Sequence, residues 1–116
     1  MNKNDQLPLP SVIAAYYRAS DAYDSVLLAG CFAEDAVLHD EGMEYRGPAA
    51  ISEHIMKANR EAKVNKEITG CAERNSETVV TAMLSGEFDG SPLPLDFHFT
   101  LDGEKIKALN ITLAGE

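Results

Sequence analysis

Residues 32–51, FAEDAVLHDEGMEYRGPAAI, decide how this chain reads. Ala36–His39 is short, apolar and partly β-branched, the composition of a strand, and it runs straight into Asp40, Glu41 and Gly42, which are turn formers. An acid therefore stands at a strand end. Met43–Arg46 can return as a second short strand, and Gly47-Pro48 then stops it and supplies a proline suited to the first turn of a helix. Strand, hairpin and helix start follow one another without a linker.

Toward the amino terminus, Leu9-Pro10-Ser11 opens a helix whose Val12, Ile13, Tyr16, Tyr17 and Ser20 recur at helical spacing. Asp21–Asp24 reads as a cap region, after which Val26, Leu27, Leu28, Cys31 and Phe32 continue as a second helix. Residues 1–7 are polar and expected to fray. Beyond the central stretch, Pro48–Ala62 reads as a third helix with Ile51, Ile55 and Ala58 inside and Glu53, Lys57, Arg60 and Glu61 outside. From Val64 onward the pattern changes to strands over 64–72, 78–87, 93–101 and 105–113, separated by turn-like residues. The strongest hairpin signal is Asp102-Gly103 between alternating runs. Helices first and an antiparallel sheet afterwards predict one α+β domain over residues 1–116.

Composition narrows the function classes. At 116 residues the chain has room for one core and no second domain to bring a cofactor. Ten Lys plus Arg against nineteen Asp plus Glu give a net charge of −9, which repels phosphate backbones and anionic headgroups, so neither nucleic acid nor a membrane is an expected partner. Hydrophobic residues make up 45%, which excludes a disordered acidic tail. No apolar run approaches the ~20 residues that cross a bilayer, and MNKNDQLPLP lacks the apolar core of a signal peptide. A soluble, cytoplasmic protein is the expectation. Cys31 and Cys71 are far apart with no CxxC spacing and read as free thiols. His39, His54 and His98 show no HxH or HExxH spacing, so no metal site is expected. The sequence also carries no Gly-rich phosphate loop, nucleophile elbow or Cys-His signature, and no cofactor is expected.

The succession of helix, FAEDAV, acid, short strand, YRGPAAI, helix and a long antiparallel run resembles the NTF2-like superfamily, and within it the small SnoaL-like and ketosteroid-isomerase-like proteins. The resemblance covers nearly the whole chain and is densest over Phe32–Ile51. It implies a cone-shaped (cystatin-like, NTF2-like) fold, with three N-terminal helices packed on a curved, mostly antiparallel sheet and a pocket at the wide end. Members include isomerases, cyclases, dehydratases, epoxide hydrolases and proteins that only bind, so the fold narrows function without deciding it.

Asp40 is the leading candidate for a general base, because a carboxylate shielded at a pocket mouth gains proton affinity. Tyr16 and Asp40 are 24 residues apart, similar to the spacing of the oxyanion-donor tyrosine and the base aspartate in ketosteroid isomerases. The plain structural readings stand beside these: Asp-Glu-Gly at a strand end is commonly a turn, and a Tyr on an amphipathic helix commonly packs in the core. A third member of the isomerase set is an acid on a late strand. Asp96 in Pro94–Phe99 invites that role, but strand parity puts Leu95, Phe97, Phe99 and Leu101 on one face and Asp96, His98 and Thr100 on the other. Only a β-bulge near Pro92 or Pro94 would bring Asp96 back to the pocket. Without it an enolate would rest on one Tyr hydroxyl.

The expected function is a small-molecule-binding protein whose pocket, walled by Phe32, His54, Ile55, Phe97 and Phe99 and with Asp96 as a further candidate, takes an apolar cyclic or carbonyl compound. Proton transfer of isomerase or cyclase type would use Asp40 as base and Tyr16 as donor, with His54 within reach as a proton partner of Asp40. The alternative is a non-catalytic ligand-binding or dimerisation module, since Val79, Val80, Ala82, Met83 and Leu84 are apolar on both parities and a homodimer through the sheet would cover the second face. Water addition ranks below both, because Asp40, Tyr16 and His54 are few partners for an attacking water.

Overall fold

The computed structural model describes residues 9–114, so the fraying expected of residues 1–7 falls outside the described residues. Three helices, α1 (Ser11–Asp21), α2 (Ser25–Gly30) and α3 (Pro48–Ala62), accompany six strands: β1 (Phe32–Asp40), β2 (Met43–Arg46), β3 (Asn65–Arg74), β4 (Glu77–Ser85), β5 (Leu93–Asp102) and β6 (Lys105–Leu113). The strands form one sheet in the order β2-β1-β6-β5-β4-β3, antiparallel throughout except for the parallel β1–β6 pair. The fold is thus α+β, with helices packed on a curved, open, mostly antiparallel sheet.

Local chemistry accounts for most boundaries. Asp24 caps α2 by accepting a hydrogen bond from the Leu27 N–H at 3.0 Å. Pro48 occupies the first turn of α3, where its missing N–H costs nothing, and Gly47 before it takes φ 88°. Glu41 and Gly42 both have positive φ, 53° and 78°, between the paired ends Asp40 and Met43, which is the twist a two-residue hairpin requires.

Two expectations need correction. The second helix stops at Gly30, and Phe32 opens a strand rather than ending a helix, because Phe32 pairs with Ile106 on β6. β1 accordingly begins at Phe32, four residues before the apolar run that signals it in the sequence, and its register against β6 shifts between Phe32 and Val37. The ladder bond that β6 would otherwise lack goes to the loop, where Ile106 N–H donates to the Cys31 carbonyl at 2.8 Å.

Curvature comes from bulges. On β3, Ile68 opposes Ala82 while Gly70 opposes Thr81, leaving Thr69 as an extra residue, and another shift separates Thr100 from Leu101 against β6. Each bulge bends its strand and tightens the local twist, curling the sheet around the helices. The concave face carries the core: Leu38, Val80, Ala82, Phe97, Phe99, Ile106 and Leu109 from the sheet meet Ile13, Tyr16 and Tyr17 of α1, Leu28 of α2, and Ile51, Ile55 and Met56 of α3. At its centre the Tyr16 ring meets Phe99 edge-on at 5.3 Å and Phe32 at 6.1 Å, while Tyr17 meets Phe97 at 5.5 Å. Edge-to-face aromatic pairs add about 0.5–1.5 kcal/mol each beyond their buried area. This cluster fills the middle of the cone, and an inner cavity remains at one end.

Candidate functional site

That end is built where several apolar stripes run out into polar residues. On β1, Ala36, Leu38 and Asp40 share the concave face, so Asp40 continues a row whose other members are fully buried. On α3 the stripe Ile51, Ile55 finishes in Asn59, which is buried, and on α1 the stripe Ile13, Tyr16 finishes in buried Ser20. On β3, Lys66 lies two residues before Ile68 and opposite Leu84, again on the concave side. These terminal residues, with Tyr16, His54, Ile55, Ala58, Val64, Leu84 and Phe97, line a cavity of about 90 Å³.

Within it, His54 Nε2 lies 2.9 Å from Asp40 Oδ2. With its proton on Nε2 the imidazole donates to the carboxylate. The His54 and Asp40 side chains are 18% and 20% exposed, shielded enough for the contact to be stronger than a surface ion pair. The Tyr45 ring from β2 stacks on His54 with centroids 4.0 Å apart and planes 16° from parallel, which holds the imidazole edge toward Asp40. The pair engages Asp40 through Oδ2, and Asp40 is itself one of the residues lining the cavity.

Tyr16 is buried and borders the same cavity. Burial raises its hydroxyl well above the ordinary tyrosine range, and the negative charges of Asp40, then Asp21 and Cys31, raise it further. The phenol is therefore held protonated, the state in which it can donate to a developing oxyanion. On the opposite side, the Asn59 amide donates to Ser20 Oγ at 2.8 Å, and Lys66 Nζ donates to the same oxygen at 3.3 Å.

The structure brings together Asp40, Tyr16, His54, Ile55 and Phe97 of the residues expected to form the pocket. It does not bring the other three. Phe32 and Phe99 are consumed by core packing around Tyr16 and do not line the cavity. Asp96 lies on the outer face of the sheet: the β4–β5 register runs unbroken from Leu84–Leu93 to Glu77–Thr100, so no bulge near Pro92 or Pro94 turns it inward. Its carboxylate instead accepts the Thr81 hydroxyl at 2.6 Å.

Sequence reasoning missed Ser20 as a polar wall, Asn59 and Lys66. All three could have been found as polar residues standing on the core parity of an element, at its end. His39 and His98 are on the outer face, beside Glu44 and between Glu77 and Thr112. Among the described residues no group of three or more His, Cys, Asp and Glu side chains converges as a metal site would require. Two wider clefts, of about 680 and 690 Å³, flank α2, and neither includes the Asp40–His54 pair.

Comparison with known proteins agrees with this architecture. A protein from Sinorhizobium meliloti described as a polyketide cyclase is 33% identical, covers 90% of this chain and 95% of its own, and superposes with a TM-score of 0.85. A protein with a ketosteroid isomerase-like fold from Catenulispora acidiphila, solved with trimethylamine, is 20% identical over 93% of this chain and 88% of its own, TM-score 0.77. A protein from Shewanella putrefaciens described as a SnoaL-like polyketide cyclase is 14% identical over 96% and 83%, TM-score 0.74. The last two speak for the fold alone. No curated protein matches the chain significantly. Residues 13–109 match the SnoaL-like domain, and the chain belongs to the SnoaL-like family.

Proposed function

We propose that this chain is a small-pocket proton-transfer protein of the isomerase or cyclase type, acting on a carbonyl compound with Asp40 as the base. The observation that carries the reading is the Asp40–His54 pair at 2.9 Å on the wall of a cavity that Tyr16 also borders. A carbon acid beside a carbonyl would give its proton to Asp40 Oδ1, and the electron pair would move onto the carbonyl oxygen, where the Tyr16 hydroxyl can donate. His54 holds the carboxylate through Oδ2, which leaves Oδ1 to take the proton. Returning the proton to another carbon of a conjugated enolate completes an isomerisation, and attack of the enolate carbon on a second carbonyl, whose oxygen then takes the proton back from Asp40, completes a cyclisation. The description of the 33% identical relative as a polyketide cyclase supports this class of reaction.

Cavity size sharpens the ligand. A volume of about 90 Å³ is smaller than the ~150 Å³ cavity that accepts benzene, so a cyclic apolar compound does not fit the space as it stands. A carbonyl compound of a few carbons does. The filled aromatic centre of the cone also favours the second reading, a module that binds or dimerises without turnover. We place the protein in the cytoplasm; no described helix is long and apolar enough to cross a membrane.

Exchange of α-protons for deuterium separates the two readings without knowledge of the natural substrate. Acetone, butanone and 2-oxobutanoate in D₂O, followed by proton NMR, are expected to exchange faster with the protein than with buffer. Asp40→Asn should lower the protein-dependent rate about a hundredfold or more. Exchange that is absent in the wild type, or unchanged in the Asp40→Asn variant, would leave only the binding module.

A further inference from the structure

The Lys66 ammonium has no assigned role, yet it stands in an unusual place. Its side chain is only 5% exposed, although lysine is almost never buried without a strong partner. Its partners are weak. One is Ser20 Oγ at 3.3 Å, a neutral oxygen already receiving the Asn59 amide at 2.8 Å, and the other is Asp21 Oδ1 at 3.3 Å, on a side chain 59% exposed to solvent. A buried cation with one solvent-facing partner has unspent capacity for an anion.

Lys66 also divides two spaces. It lines the inner cavity with Asp40, His54 and Tyr16, and it lines an outer cleft of about 270 Å³ formed with Asp21, Tyr23 and Asn65. Ser20, Asn59, Val64 and Lys66 belong to both walls. Of these four, Ser20 and Asn59 are short and tied to each other, and Val64 has no long side chain to move. Lys66 alone carries four rotatable methylenes. Swinging this side chain out to solvent would join the spaces, and the joined volume would enter the ~300 Å³ range where small-ligand sites begin.

We propose that Lys66 is the gate and the specificity determinant of this site, and that the ligand it admits is a small oxo acid whose carboxylate pairs with the ammonium while its carbonyl end faces Asp40 and Tyr16. The assignment of the carbonyl end rests on the proton-transfer reading above; the assignment of the carboxylate end rests on Lys66 alone. Lys66 is the one Lys or Arg among the described residues that line the cavity, so in a chain of net charge −9 it is the local feature that makes an anion welcome. A neutral apolar ligand would leave the ammonium desolvated with only its weak Ser20 and Asp21 contacts.

The test compares 2-oxobutanoate with 2-oxobutanamide, its uncharged counterpart of equal heavy-atom count, by NMR titration of the full chain. The acid is expected to bind about tenfold more tightly, as a charge-assisted hydrogen bond allows. Lys66→Met should abolish that preference, and Lys66→Arg should keep a preference for the acid. Thermal unfolding of each variant separates a lost ligand contact from a lost fold. Equal binding of acid and amide, no binding of either at millimolar concentration, or a preference that survives Lys66→Met in a folded protein would overturn the proposal. Selective binding of the acid with no α-proton exchange would instead sink the proton-transfer reading and leave Lys66 as an anion-recognition residue.

Discussion

Tyr16 and Tyr17 are neighbours on α1, both buried, and only one of them borders the cavity. The Tyr17 ring packs against Phe97 and Phe99, and its hydroxyl is buried and finds no hydrogen-bond partner among the described residues. A buried hydroxyl without a partner carries its full desolvation cost, so Tyr17→Phe should leave stability unchanged or raise it by about 1 kcal/mol, read as a urea midpoint at pH 8. The same variant has a signature at alkaline pH. Burial first, then the neighbouring Tyr16 and the charges of Cys71 and Asp21, raises the Tyr17 hydroxyl well above its ordinary 10.0. The folded chain therefore keeps a proton that the unfolded chain releases above about pH 10. Stability is intact below that pH and falls as the pH rises beyond it, by about 1.4 kcal/mol per pH unit for each such tyrosine. Tyr17→Phe should remove one tyrosine's share of that decline, and an alkaline profile identical to wild type would contradict the assignment.

At the scale of elements, the site depends on how α3 ends. Lys63 closes the helix in the left-handed region at φ 49°, and the chain turns into β3, carrying Val64 and Lys66 to the cavity. Gly86, just past β4, packs against this turn so closely that an added Cβ would lie 2.5 Å from the Ala62 carbonyl oxygen and 3.0 Å from that of Lys63. Both obstacles are backbone, and the adjoining Glu87 N–H donates to the same Ala62 oxygen at 2.6 Å. Neither strand nor helix can yield without breaking that bond. Gly86→Ala should cost about 1–3 kcal/mol and lower the melting temperature by several degrees, whereas an unchanged melt would mean that the helix end and strand are free to part. Legibility in the sequence follows the same division. Helix α3 could be read to both ends because its apolar stripe, Pro48 and charged outer face agree, and β6 because Asp102-Gly103 marks its start. The beginning of β1 could not, since Phe32–Asp35 has no alternation and is made a strand only by β6, distant in sequence. In the site, Asp40 was readable as an acid at a strand end and His54 as its neighbour on a helix face. Parity spoke against Asp96 but left it a candidate through a possible bulge, which only the unbroken β4–β5 register removes. Lys66 was hidden because a lysine in a strand normally faces water, and only the curvature imposed by the Thr69 bulge and the packing of α1 and α3 encloses it.

For the whole molecule, the helices cover one face of the sheet and leave the other bare. Across that outer face the register sets Val79 beside His98, His98 beside Asn110 and Asn110 beside His39, with Thr81, Thr100 and Thr112 around them. Val79 is buried there although it lies outside the main core. We propose that two copies pair through this face, an isologous contact in which each chain offers the other the same row. Charge sets how the pairing should respond to solution conditions. Each chain carries −9, and Glu77 and Asp96 lie on the face itself, so bringing two copies together opposes like charges. At about 0.01 M salt that repulsion reaches across roughly 30 Å, comparable to the molecule's own extents of 32 × 30 × 28 Å, while at 0.15 M it is screened within roughly 8 Å. Sedimentation equilibrium at tens of micromolar protein should therefore find twice the chain mass at 0.15 M salt and a larger monomer fraction at 0.01 M. A single-chain mass at both salts would show that the outer face is solvated as it stands. Tighter association at the lower salt would also count against the model of a repulsive face, because it would require opposite charges to meet across the contact.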